Sequence, residues 1–206
     1  MKIAIDLNDV LRDFSRNFGK YYHQYYDHTI DLGEIDVWTN DMKILFPFKT
    51  DSAYEQFTYE KYVYELFGKC STCHPQTASD FNVWLNYTLA NIYEDLDTDS
   101  IENIEVMIVS PMEYGLSLAA TLFFVSKLGS PIREFYFPKD SLTIWDKCDI
   151  LITANPRLLE NKPEEKGKIS VKIEMPYNKD FKSDFSYGTF REFVKNPNNT
   201  KKLFLK

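Results

Sequence analysis

The first apolar run of the chain, Ile3-Ala4-Ile5 with Leu7, is too short for a helix and breaks into Asp6, Asn8 and Asp9. This pattern predicts a buried strand that presents polar side chains at its carboxyl end. In open α/β sheets that end is where ligands and chemistry are found. Phe14, Phe18, Tyr21, Tyr22 and Tyr25 then recur at three- and four-residue spacing and predict one apolar helix face, read as core rather than as a stacking surface. The pattern breaks over residues 27–50, where Asp31-Leu32-Gly33-Glu34 and Phe46-Pro47-Phe48 mark turns around a short helical turn at 38–45. A second helix is predicted over 51–67, capped by Asp51 or Ser52, with Tyr54, Phe57, Tyr62 and Leu66 turned inward. A third, over 79–96, carries Phe81, Trp84, Leu85, Leu89 and Ile92.

From Ile104 the periodicity changes to that of buried strands. Residues 105–109 form the second strand and end at Ser110-Pro111; a helix over 114–128 follows, closed by Gly129. Residues 132–137 form a third strand, 148–152 a fourth ending at Thr153-Ala154-Asn155-Pro156, and a short helix passes through Leu158 and Leu159. An alternating fifth strand spans 168–174, and a closing helix spans 187–195 with Phe190, Phe193 and Val194 on one face. Strands alternating with helices imply a doubly wound, mostly parallel, five-stranded α/β sheet with right-handed crossovers. In this scheme residues 1–13 and 100–196 form the sheet domain, 14–99 a helical cap inserted after the first strand, and 197–206 a loose polar tail.

Composition narrows the classes of function. The 206 residues include 14 Tyr and 16 Phe, enough aromatic area for a well-packed core. No stretch approaches the roughly eighteen apolar residues of a membrane span. The amino terminus lacks a secretory signal of normal form, so a cytoplasmic protein with no membrane partner is expected. The net charge is −7 and the basic residues are scattered, which disfavours nucleic-acid polymers as partners. A single small phosphate-bearing molecule stays compatible with that charge, and no protein partner can be named.

Asp6, Ser110 and Thr153-Ala154 all fall at carboxyl ends of predicted parallel strands, so one crevice can collect them. The opening Asp6-x-Asn8-x-Val10-Leu11, Ser110 after the second strand, the downstream Lys139 and the run from Asp149 to Pro156 resemble the haloacid dehalogenase-like (HAD-like) hydrolase superfamily. Within it the chain looks most like the 5'(3')-deoxyribonucleotidase group, which carries a helical cap after the first strand. The resemblance covers the sheet domain and none of the cap. It implies Asp6 as the nucleophile that takes a phosphoryl group, Ser110 as a hydrogen-bond donor to that group, and Lys139 as the balancing cation, with Lys147 competing for that role. It also implies magnesium, held by Asp6 and the backbone carbonyl of residue 8.

Two departures from the family pattern work against catalysis. Asn8 stands where the family has its general acid and supplies no proton at neutral pH, a loss of about 10²–10⁴-fold. Thr153 and Ala154 stand where phosphatase members have acidic magnesium ligands, leaving Asp6 as the one matched carboxylate. Without a cation, carboxylate and phosphate repel by roughly 4 kcal/mol per unit-charge pair at 4 Å and an effective dielectric near 20. Asp149 is four residues upstream, roughly 13 Å along the strand, and does not substitute. Asp9, Asp13 and Glu113 are the acids left to reach in.

Cys70-Ser71-Thr72-Cys73-His74 matches a c-type haem attachment sequence and also a redox or half-zinc spacing. Haem attachment requires export, and a zinc site needs further ligands that are remote in sequence, so reduced thiols without haem or zinc are expected. Two functional classes stand on these residues. One is a catalytically impaired HAD-like protein serving as a small-ligand (phosphate) binding or interaction module. The other is an active or altered phosphatase that hydrolyses small monoesters, such as nucleoside monophosphates, through an aspartyl-phosphate.

Overall fold

The computed structural model describes residues 1–30, 39–95 and 104–205, without the side chains of 93–95. The predicted turn at 31–34, Trp38 and the end of the third helix at 96 lie outside the described residues.

Six strands, all parallel, form one sheet in the order β3-β2-β1-β4-β5-β6. They are β1 (Lys2–Asp6), β2 (Glu105–Val109), β3 (Glu134–Tyr136), β4 (Ile150–Thr153), β5 (Ile169–Ile173) and β6 (Phe185–Tyr187). This is the Rossmann-like order, in which successive strands run outward from β1 one way and then reverse. The reversal separates β2 and β4 across β1, and the crevice lies at their carboxyl ends.

Alternate residues of each strand feed two apolar layers, as a two-residue repeat requires. Ile3, Ile5, Ile108, Ile150 and Ile152 pack on α4 (Thr77–Val83), α6 (Leu116–Lys127), α8 (Phe190–Lys195) and α9 (Pro197–Phe204). Ala4, Met107, Val109 and Leu151 pack on a 3₁₀ helix (Ser141–Lys147) and α7 (Pro156–Glu160). The described elements between β1 and β2 are helices. α1 (Phe14–Tyr25), α2 (Met42–Leu45), α3 (Asp51–Glu55) and the π-helical segments Gln56–Lys61 and Tyr64–Gly68 share a separate aromatic cluster. α4 continues through a π-helical segment (Trp84–Thr88) into α5 (Leu89–Asp95), and its Phe81 and Trp84 belong to the core of the sheet. No described helix is long and apolar enough to cross a membrane.

Several expectations need correction. The sheet has a sixth strand: Tyr187 closes β6 instead of opening a helix, and α8 starts at Phe190, capped by Thr189, which accepts from the Glu192 N–H at 3.0 Å. A three-residue strand is too short to show a repeat. The tail after Asn196 is the helix α9, with Asn196 as cap and Pro197 in its first turn. Leu203 is buried, and Thr200 Oγ1 accepts the Trp84 indole N–H at 3.0 Å. The cap of α3 is Thr50, not Asp51 or Ser52; its hydroxyl accepts from the Ala53 N–H at 3.1 Å. The second helix is not continuous through Tyr62, and Tyr25 of the first aromatic face is exposed.

β5 is buried on both faces despite its alternating sequence. Its polar positions are satisfied by the loop that follows: the Ser170 hydroxyl donates to Asp184 at 3.0 Å, and the Lys172 ammonium donates to the Phe181 carbonyl at 3.0 Å. Gly129 has φ +62° and closes α6 in the left-handed conformation that glycine adopts without strain.

Candidate functional site

The site is the carboxyl end of β1 and the loop that leaves it. Asp6 is the last residue of β1 and pairs in register with Val109 of β2, so Ser110 follows on the neighbouring strand end. Beyond Asp6, the loop turns on itself: Leu11 and Arg12 N–H groups both donate to the Leu7 carbonyl, at 3.1 and 2.9 Å, and the Asp9 N–H donates to the Arg12 carbonyl at 2.7 Å. Asp9 takes φ +60°, a conformation that side-chain-bearing residues seldom hold without local compensation. The compensation is visible: its carboxylate accepts the Ser15 N–H at 2.9 Å, the Ser15 hydroxyl, and the Tyr177 hydroxyl at 2.6 Å. Asp9 therefore caps α1 through Ser15, while Asp13, at the formal cap position, makes no such bond.

Asp6 is fully buried. Thr153, ending β4, donates its hydroxyl to Asp6 Oδ2 at 2.8 Å and accepts the Asn155 N–H at 2.9 Å. Asp6 Oδ1 and Ser110 Oγ, both buried, have no hydrogen-bond partner among the described residues. Burial pushes the Asp6 carboxyl up to about 7; the Thr153 bond opposes the rise, the nearby Glu113 and Asp9 add to it, and Arg12 opposes it weakly. Tyr177 is held well above the ordinary phenol value by burial, with Asp9 and Asp6 adding to it.

Asn8 is tied into a partly buried network that the sequence did not foretell. Its carbonyl accepts from Arg12 Nε at 2.9 Å and Arg12 Nη2 at 2.6 Å, and its amide points at Met112 Sδ at 3.3 Å. Arg12, with no exposed side-chain surface, also pairs with Glu113 and donates to Thr121 Oγ1 at 2.8 Å and the Phe67 carbonyl at 3.1 Å. Three rings, Phe14, Phe67 and Phe124, flank its guanidinium at 5.2 to 5.6 Å. All five guanidinium N–H groups are thus committed. A charged residue in a polar run normally reads as exposed, so nothing in the sequence marked Arg12.

The remaining implied residues are placed differently. Lys139 is exposed on the loop after β3, two strands from β1 and so roughly 10 Å to the side. Lys147 lines a depression with Lys2 and Glu134, at the amino ends of the strands and thus at the opposite edge of the sheet from Asp6. Asp13, half-buried, has its carboxyl raised by that burial and pairs loosely with Arg16 at 3.5 Å. Asn40 and Asn155 meet at 3.2 Å over the crevice. The cavity beside Asp6, which these two line with Asn8, Asp9 and Tyr177, holds about 30 Å³. That is room for about two water molecules and far below the roughly 300 Å³ of an ordinary ligand pocket.

Few donors are left for the magnesium that the family resemblance implies: among the described residues Asp6 Oδ1 and the second oxygen of Glu113 are the buried carboxylate oxygens without a partner. Such an ion keeps several waters and takes one or two carboxylates from the protein. Here one Asp6 oxygen is engaged by a hydroxyl proton, Asp9 is committed to Ser15 and Tyr177, and one oxygen of Glu113 is committed to Arg12 and Thr121. Among the described residues no three His, Cys, Asp or Glu side chains converge as a ligand set. In the cysteine cluster, Cys70 is buried with its thiol donating to the Asp13 carbonyl at 3.3 Å, whereas Cys73 is exposed. His74 accepts the Gln76 N–H on Nδ1 at 3.1 Å, and Cys148 is buried under the opposite face of the sheet.

No protein-family model and no curated protein sequence matches this chain. Its class rests on its own topology: an α/β protein with a six-stranded, all-parallel sheet of Rossmann-like order.

Proposed function

We propose that the chain is a HAD-like protein that no longer transfers phosphate and acts as a binding or interaction module, with the helical segment after β1 as its cap. The observation that carries this reading is the state of Asp6. The residue in the nucleophile's position is buried, accepts a hydroxyl proton from Thr153 in place of facing a metal-binding acid, and has Asp9 and Glu113 as its charged neighbours. A phosphate dianion beside it meets repulsion of roughly 4 kcal/mol per unit-charge pair at 4 Å and an effective dielectric near 20. The nearby buried cation, Arg12, is already neutralised by Glu113, and Asn8 in the general acid's position is held by Arg12.

One observation favours the phosphatase reading: Asp6 Oδ1 and Ser110 Oγ, on adjacent strand ends, are both buried without partners among the described residues, and a phosphoryl group would accept from the Ser110 hydroxyl while Asp6 Oδ1 stays free to attack its phosphorus. A magnesium-dependent assay over a panel of phosphate monoesters, with Asp6→Asn as control, separates the two. The proposal expects the same background rate from both proteins and no magnesium binding by calorimetry. Turnover that Asp6→Asn abolishes would overturn it.

A further inference from the structure

α6 differs from the other helices in being apolar on every side: its sequence, Leu-Ser-Leu-Ala-Ala-Thr-Leu-Phe-Phe-Val-Ser-Lys, has no charge before Lys127. A helix of that kind is ordinarily covered all round. One face is covered here, with Ala120, Thr121, Phe124 and Val125 buried against the sheet and the π-helical segment 64–68. The Gly68 position shows how tight that contact is, since a Cβ there would stand 3.2 Å from the Ala120 carbonyl. The opposite face is open. Leu116 is 64% exposed, Leu122 46% and Phe123 42%, with Ala119 exposed between them. The apolar strip widens at both ends. Tyr64, 39% exposed, packs on Phe123 at 5.1 Å between ring centres, and Tyr114, 51% exposed, packs on Tyr59 at 4.2 Å. Scattered apolar residues on a surface need no explanation, but a contiguous strip from Leu116 to Phe123 does.

We propose that this face is the interface of a homodimer, in which α6 pairs antiparallel with α6 of a second copy about a two-fold axis at Ala119. The argument for a second copy is self-complementarity. Leu116 and Leu122 lie three residues either side of Ala119, so an axis there sets each Leu116 against the partner's Leu122, with the small Ala119 letting the helices approach to the usual 8–10 Å. The charges at the two ends match in the same sense. The amino end of α6 is acidic, with Glu55 hydrogen-bonded to the Tyr114 hydroxyl and Glu60 acting on the same group. The carboxyl end carries Lys127, over the Phe123 ring at 5.7 Å and donating to the Cys70 carbonyl at 3.2 Å, and Lys69, over the Tyr64 ring at 5.2 Å and paired with Glu65 at 3.9 Å, which leaves that end with a net positive charge. Antiparallel pairing brings acidic end to basic end twice and also opposes the two helix dipoles. A membrane surface would call for a uniformly basic rim, which this face lacks. The interface does not depend on the chemistry at Asp6.

Sedimentation equilibrium of the full chain, with concentrations up to about 100 µM, tests the interface. The expected mass is twice the 24.3 kDa of one chain. Leu122→Glu, at an exposed position that folding tolerates, returns the protein to a monomer with an unchanged far-ultraviolet circular dichroism spectrum. In a Cys73→Ser background, Ala119→Cys forms a disulfide-linked dimer under mild oxidation, because an axis at that position sets the residue against itself. A wild-type monomer throughout the range, or a dimer that survives Leu122→Glu, overturns the proposal.

Discussion

Replacing Arg12 with Met tests the buried network most sharply. The substitution keeps most of the aliphatic volume among Phe14, Phe67 and Phe124 but removes the guanidinium. Glu113 is then left as a fully buried carboxylate whose one remaining side-chain donor among the described residues is Thr121, and its second oxygen has no hydrogen-bond partner among them even with Arg12 in place. Breaking such a pair from one side costs about 3–5 kcal/mol. The orphaned Asn8 and Phe67 carbonyls push towards the upper end. Against a total stability of about 5–15 kcal/mol, the variant is near the edge of folding. With a urea slope of about 2 kcal/mol/M, a loss of about 4 kcal/mol moves the unfolding midpoint down by about 2 M. Adding Glu113→Gln removes the stranded charge, and the double variant should recover about half of the loss, well short of the sum of the two singles. A loss below about 1 kcal/mol in Arg12→Met, or a double variant as unstable as the sum of the two singles, would refute this account of the network.

Burial holds the Asp6 carboxyl at about 7 in the folded protein against an ordinary value near 3.8, so the folded state binds the extra proton between those values. Its contribution therefore destabilises progressively as pH rises from about 4 to 7, by a total of about 4 kcal/mol. Asp6→Asn should unfold like the wild type at pH 4 and be more stable above pH 7, by up to about that amount, in urea titrations at each pH; a difference independent of pH would contradict the assignment. Leu203→Ala, in the buried face of α9, should cost about 2–5 kcal/mol in the same assay. A loss under about 0.5 kcal/mol would mean that the terminal helix is not docked on Trp84.

Local patterns carried the fold class. Short apolar runs alternating with helical spacing were enough for a parallel α/β sheet, because a strand buried on both faces and a helix with one covered stripe impose different repeats on the chain. The carboxyl end of β1 was legible for the same reason, since Asp6 and Asn8 interrupt an apolar run abruptly. α9 was also signalled, by Asn196-Pro197 as a cap and first-turn pair, although its polar composition suggests a loose tail. β6 carried too few residues to show a repeat.

What tertiary structure alone decided is what the polar residues touch. Sequence spacing places Asp6 and Thr153 at strand ends, but the register of β1 against β4 brings a hydroxyl to the carboxylate at 2.8 Å. Arg12, 101 positions from Glu113, looked like any surface arginine until α6 and the β1 loop closed around it. Periodicity reports which side of an element faces the core; charge state and hydrogen bonding depend on partners distant in the chain, and those are set only when the sheet assembles.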